Sequence, residues 1–340
     1  MTKLRFLCLL LASCFATACF AQPKVTSVDF YGLKSLSEDQ IKKQLGFQDG
    51  EKLPFDTKEL KDRLVAMESV DDAYVAPIQY PGNLALFIGI REVGQAVPTF
   101  RDAPTSDLKL QDKLVEQYDQ TMEMLIPAIK SGKAGEDKSA GHSLSEYEPM
   151  RELQEQFVAI ADEEFEMLTR VLRKSSDTDS RVAAACILAY ASDKNRVVEE
   201  LTYASRDPDS GVRNNAVRAL SVLASYANSN PDLGLEVDPK SFIQLLSSLA
   251  WTDRNKGAAV LDGLTQQRDP KLMDALRGSA MAELEEMARW KSDGHAWYSI
   301  RILARLAGMQ EAEIKTKAKA SETHEARMKW VDQLVGRING

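Results

Sequence analysis

Three histidines, His142, His295 and His324, and the single cysteine beyond the first 21 residues, Cys186, are the side chains best suited to acid–base, nucleophilic or metal chemistry. None stands at a spacing that such chemistry needs. His142 lies in "KSGKAGEDKSAGHSLSEYEP" with no second His or Cys at metal-ligand distance. His295, beside Trp297 and Tyr298, could line a polar-aromatic pocket, but the same residues suit a helix packing face, which is the preferred reading. His324-Glu325 lacks the second His of a zinc-protease helix. Cys186, in "AAACIL", reads as a small buried hydrophobe. The carboxylates Asp162/Glu163/Glu164 and Glu285/Glu286 lie on charged helix faces, where solvation is their ordinary role. No P-loop, GxGxxG, HExxH or GxSxG occurs. No catalytic residue, cofactor or metal is expected.

Charge narrows the partners. With 43 Lys and Arg against 51 Asp and Glu the formal charge is −8, which argues against nucleic acid, since phosphate contacts need clustered cations. The start reads as an export signal over 1–21. Lys3 and Arg5 precede the apolar run Phe6–Ala12, and small residues offer cleavage after Ala21 or Ala18. The run from Phe6 to Ala21 is broken by Ser13 and Thr17 and is too short to span a bilayer. Leu11-Ala12-Ser13-Cys14 has the form of a lipobox, so an envelope-anchored lipoprotein lipidated at Cys14 is the alternative; only then would a membrane be involved. Cleavage leaves Cys186 alone, so no intrachain disulfide forms, and no Asn-x-Ser/Thr occurs. The expected location is the bacterial periplasm.

These side chains need elements to hold them. Val25, Val28 and Phe30 predict a strand ended by Gly32. Ser37 with Gln40, and Asp56 with Glu59, have the spacing of capping boxes for two helices striped by Ile41/Leu45 and Leu60/Leu64/Met67. Two strands follow around the turn Pro81-Gly82-Asn83; Leu84, Leu86, Ile88 and Ile90 alternate with Ala85, Phe87, Gly89 and Arg91. The order βααββ over 24–96 resembles a POTRA-type domain, carried by Val28–Gly32, the Ser37-led helix, the Leu60/Leu64 helix, Val70/Ala73/Val75 and Ile90-Arg91-Glu92. The resemblance implies recruitment of protein partners, in outer-membrane assembly complexes, by adding a strand to a sheet edge. No series of barrel strands follows here.

Residues 97–156 read as a linker, "VPTFRDAPTS", then an amphipathic helix with Leu114, Tyr118 and Met122, then a mobile loop holding His142. From Phe157 to Gly308 the chain repeats its punctuation. "SDTDSRVAAACILAY" is echoed by "RDPDSGVRNNAVRAL", with Asp179 and Asp209 opening equivalent helices, and looser copies open at Asp253 and Asp293. This resembles the HEAT-repeat family in its short, bilin-lyase-like form, on Asp207-Pro208-Asp209-Ser210-Gly211-Val212-Arg213-Asn214-Asn215-Ala216 and Leu220; lyase activity does not carry over. Residues 309–340 read as a capping helix striped by Met328, Val331, Leu334 or Val335, and Ile338.

The expected fold class is therefore α+β, a small βααββ POTRA-like domain followed by an all-α HEAT-type solenoid. The expected function is an exported, non-enzymatic protein–protein interaction scaffold. The alternative is an accessory or regulatory subunit of an envelope-assembly or membrane-bound enzyme complex. A third reading is an enzyme with an inter-domain site near His142 or His295. Candidate partner-binding residues are Arg181, Arg213, Arg218, Trp297 and Tyr298, although pairing with a nearby inter-repeat carboxylate is the preferred reading of Arg213.

Overall fold

The structure, a computed structural model, describes residues 24–53, 56–80 and 83–340. The expected signal segment 1–21, Cys14 included, and the first two residues of the Pro81-Gly82-Asn83 turn lie outside the described residues. The fold is mixed α+β. The elements begin β1 (Val25–Tyr31), α1 (Glu38–Leu45), α2 (Thr57–Val65), β2 (Val70–Tyr80), β3 (Asn83–Glu92). Next come α3 (Asp112–Glu123), α4 (Leu125–Lys130), the short hairpin β4 (Glu136–Asp137) and β5 (Leu144–Ser145), and α5 (Glu148–Glu163). Helices α6 (Phe165–Lys174), α7 (Thr178–Leu188), α8 (Lys194–Ala204) and α9 (Ser210–Ser229) follow. The chain ends with α10 (Lys240–Leu245), α11 (Trp251–Leu264), α12 (Pro270–Ser279), α13 (Met281–Ala288), α14 (Asp293–Leu306), α15 (Glu311–Lys319) and α16 (His324–Asn339).

Local chemistry explains the first elements. Ser37, in extended backbone, accepts the Gln40 N–H, and the Gln40 side chain accepts the Ser37 N–H, so α1 starts on a complete capping box. Asp56 caps α2 through the Glu59 N–H, while the Glu59 side chain turns forward to Arg63 at 3.1 Å instead of back to the cap. The sheet order is β1-β3-β2, with β1 parallel and β2 antiparallel to β3. Strand alternation divides its two faces. Val28, Phe30, Leu86, Ile88 and Ile90 bury against Ile41, Leu45, Leu60 and Leu64. At the end of β3, burial pushes the Glu92 carboxyl up, but the Ser35 hydroxyl and the N–H groups of Lys34, Leu36 and Ser35 donate to it and bring it down to about 2.

The reverse face carries Asp29, Tyr31, Phe87 and Gly89, and it is covered by the end of the chain. Phe87 stacks on Trp251 at 4.8 Å and meets Trp290 and His295 edge-on, each at 5.3 Å. The Tyr31 hydroxyl donates to Leu249 O, and its ring lies 4.7 Å from the Arg254 guanidinium. Gly89 makes this possible, because a Cβ there would meet the Tyr31 ring at 2.5 Å. The Gly32 N–H donates to Glu286 at 2.6 Å. Residues 24–98 and Ile243–Gly340 thus form one compact unit, and Thr99–Phe242 forms the other. The compact units are cut differently from the sequence expectation of a self-contained sheet module followed by one helical stack over 157–308.

Within Thr99–Phe242, α6 packs on α7, α8 on α9, and α7 beside α9. The stretch expected as a mobile loop carries β4 and β5 and folds back on these helices. Ser145 N donates to Gln154 at 2.7 Å, Tyr190 Oη donates to Ser143 O at 3.1 Å, and His142 is buried against the Tyr190 ring at 5.2 Å.

Candidate functional site

The turns before α7, α9 and α11 share one construction. The residue two before each N-cap accepts the cap N–H: Ser175 from Asp177 at 3.1 Å, Asp207 from Asp209 at 2.9 Å, Ser248 from Ala250 at 3.2 Å. The arginine four residues after the cap then donates to that residue's carbonyl: Arg181 to Ser175 O at 2.8 Å, Arg213 to Asp207 O and Arg254 to Ser248 O, both at 2.7 Å. The register corrects the Asp179/Asp209 pairing. The N-caps are Asp177 and Asp209, two residues further apart, because Asp177 has the extended backbone and reaches the Ser180 N–H at 2.9 Å while Asp179 already sits in the first turn. Arg181 and Arg213 are then equivalent, a match hidden by the other alignment.

Asp207 is the centre of this arrangement. It is 0% exposed and accepts Arg181 through both carboxylate oxygens, each at 3.1 Å, with Arg101 at 3.2 Å. Arg101 also lies 3.6 Å from the Tyr203 ring centroid, and Arg173 lies 4.3 Å from it. The segment that brings Arg101, expected as a linker, is a strap along the turns. Arg101 N donates to Arg206 O at 2.8 Å, Ser106 N to Lys174 O at 3.0 Å, Ser176 N to Ser106 O at 2.7 Å and Leu110 N to Ser180 Oγ at 3.1 Å. Phe100 lies under the Arg213 guanidinium at 3.8 Å.

The five candidate residues therefore have different surroundings. Arg181 and Arg213 are buried, their donors turned onto Asp207 and the turn carbonyls. Arg218 is half-buried and paired with Glu136 of β4. Trp297 and Tyr298, half-buried on α14, face Trp330 at 6.1 Å and Arg301 at 5.3 Å. They belong to the other unit.

His142 is buried and His295 half-buried, whereas His324 is exposed. Burial, then the nearby Lys194 charge, pushes His142 down to about 4; burial pushes Lys194 down to about 8, its Nζ donating to Ala191 O at 2.8 Å and lying 3.3 Å from His142 Nδ1. Burial, then Lys256, pushes His295 down to about 4 between Phe87 and Trp251. Among the described residues no group of His, Cys, Asp and Glu could hold a metal ion, and no helix is long and apolar enough to cross a membrane.

Asp29, on the covered sheet face, accepts the N–H of Lys291 at 2.6 Å and of Ser292 at 3.3 Å, and so fixes the turn that leads into α14. Burial outweighs these donors and raises its carboxyl to about 6. The folded chain holds this proton more tightly than the unfolded chain, so the contribution is full below about pH 4 and is lost as pH rises through 6, up to about 3 kcal/mol. Asp29→Asn is expected to flatten the fall in unfolding free energy between pH 4 and 6, read by urea titration at each pH. His295 slopes the opposite way over this range, but it is common to both proteins and cancels in their difference. Parallel curves for the two proteins would refute the assignment.

The sheet edges differ. The start of β1 is occupied: Val25 N donates to Glu51 O at 2.8 Å and Gly50 N to Val25 O at 2.7 Å. Among the described residues β2 has β3 as its one neighbour in the sheet. Its first half carries charged pairs, Arg91 to Asp71 at 2.7 Å and Lys61 to Asp72 at 2.9 Å, and Pro77 removes one donor further on. Comparisons with protein-family models, curated proteins and solved structures gave no match.

The device missed in the sequence is the buried Asp207–Arg181 link and its relatives. Its signal is the spacing of a Ser or Asp, a cap two residues on and an Arg four beyond, present at Ser175/Asp177/Arg181, Asp207/Asp209/Arg213 and Ser248/Ala250/Arg254.

Proposed function

We propose that this chain is an exported, non-enzymatic scaffold that recruits protein partners, with a POTRA-like sheet offering the β2 edge and HEAT-type helix pairs supplying further surface. The β2 edge carries the reading. It is an eleven-residue strand paired on one side, whereas the start of β1 is already occupied. An incoming strand would satisfy the backbone groups that β2 leaves to water. The charged pairs at its start and Pro77 would restrict which strand fits, as blunted edges do. The location proposed is the periplasm.

The test is photo-crosslinking in the native envelope. A photoreactive residue replaces Ile78 on β2, and another replaces Gln333 on the exposed side of α16 as a control. The expected result is a discrete protein adduct from the β2 position, identified by mass spectrometry, and none from the control. Equal labelling from both positions, or none from either, would remove the support for recruitment at this edge.

A further inference from the structure

The α3–α4 segment presents an exposed face. Helix α3 buries Leu114, Tyr118 and Thr121. Its opposite side exposes Asp112, Glu116, Asp119 and Glu123, spaced i, i+4, i+7 and i+11, which places them in one row. Asp112, Glu116 and Glu123 have no ion-pair partner among the described residues. In α4, which follows, Leu125, Ile126 and Ile129 are 40%, 38% and 48% exposed. Met122 and Met124 lie half-buried beside them, adaptable side chains suited to a contact surface. Lys130 and Lys133 follow, both exposed. In chain order the exposed side chains therefore run acidic, apolar, basic.

Charge decides between occupants. Thr99–Phe242 holds 17 Lys and Arg against 26 Asp and Glu, a formal −9. An anionic bilayer would be repelled by that charge, and two lysines do not reverse it. A second copy meeting this face across a two-fold axis lays one carboxylate row beside another unless the two faces run antiparallel and offset. A cationic segment meets neither obstacle.

We propose that the α3–α4 face docks a basic amphipathic segment of another protein. Its cations lie along Asp112, Glu116 and Glu123, and its apolar side chains cover Leu125, Ile126 and Ile129. The inference uses a surface separate from the β2 edge and stands or falls independently of it.

The experiment uses the full chain and two short helical peptides of matched hydrophobicity, one of Leu and Lys, the other of Leu and Glu, with affinity read by fluorescence anisotropy. The Leu/Lys peptide is expected to bind and to weaken as salt rises, and the Leu/Glu peptide is not. Ile126→Ser with Ile129→Ser, and separately Glu116→Gln with Glu123→Gln, are each expected to weaken Leu/Lys binding by about tenfold or more. All four positions are exposed, and an unchanged thermal melt confirms that the variants fold. Unchanged affinity in the Ser variant would overturn the proposal, since binding would then be diffuse attraction to an acidic protein. Sedimentation with vesicles of phosphatidylcholine and phosphatidylglycerol that is lost in the Ser variant would overturn it in favour of lipid. A dimer in the parent that dissociates in the Ser variant would overturn it in favour of self-association.

Discussion

Asp207→Ala is expected to lower the unfolding free energy by about 3–5 kcal/mol, the cost of leaving a buried charge without its partner. Arg181 is 3% exposed and has both of its carboxylate bonds on Asp207. With Asp207 gone, its Nη1 bond to Ser175 O is what remains. The Asp209 N–H and the Arg101 guanidinium lose an acceptor at the same time. The strap and two successive turns thus depend on one carboxylate. Asp177→Ala is the comparison, because it removes an N-cap and leaves Arg181 paired; caps are worth about 1 kcal/mol. Urea unfolding of the full chain measures both. An Asp207→Ala loss no larger than that of Asp177→Ala would mean that the pair is solvated enough to be spared, contrary to its burial.

Phe87→Ala is expected to cost about 3–5 kcal/mol, the range for removing a buried ring without collapse of the space around it. The ring is 0% exposed and touches Trp251, Trp290 and His295. The surrounding groups are rigid aromatics on helix ends and cannot readily close over the gap. The loss should appear with a red shift in tryptophan fluorescence, as Trp251 and Trp290 become hydrated. The other face of β3, with Leu86 and Ile88 on α1 and α2, is unaltered, so the sheet itself should persist by circular dichroism. A loss below about 1 kcal/mol with unchanged fluorescence would show that the reverse face is not what fastens the sheet.

Both predictions concern features that local sequence carries poorly. The caps at Ser37 and Asp56 were legible because a cap and its partner lie three residues apart. The core face of β3 was legible because Leu84, Leu86, Ile88 and Ile90 alternate. The reverse face, with Ala85, Phe87, Gly89 and Arg91, shows no such pattern. Its partners are single aromatic residues far along the chain, and only Phe87 hints at burial. Arg181 reads as a surface residue for the same reason, since the carboxylate that engages it lies on the next turn. The repeat register failed more narrowly. Asp177 and Asp179 can each cap a helix, and only the Ser175–Arg181 bond selects the first. His142 read as a loop residue because Gly, Ser and Lys surround it, while the Tyr190 ring that covers it belongs to the helical region.

The division of one unit between the two ends of the chain sets an order of events during synthesis. Chains leave the ribosome N-terminus first, at about 5–20 residues per second. Phe87 emerges early, but Trp290 follows about 200 residues later, so roughly 10–40 s pass before the sheet can be covered. Thr99–Phe242 is complete before then and can fold in the meantime. For that interval the nascent chain displays Tyr31 and Phe87 beside a lone-neighboured β2, the combination that invites non-native strand pairing. The reverse face of the sheet therefore stays uncovered until the start of α14 is made.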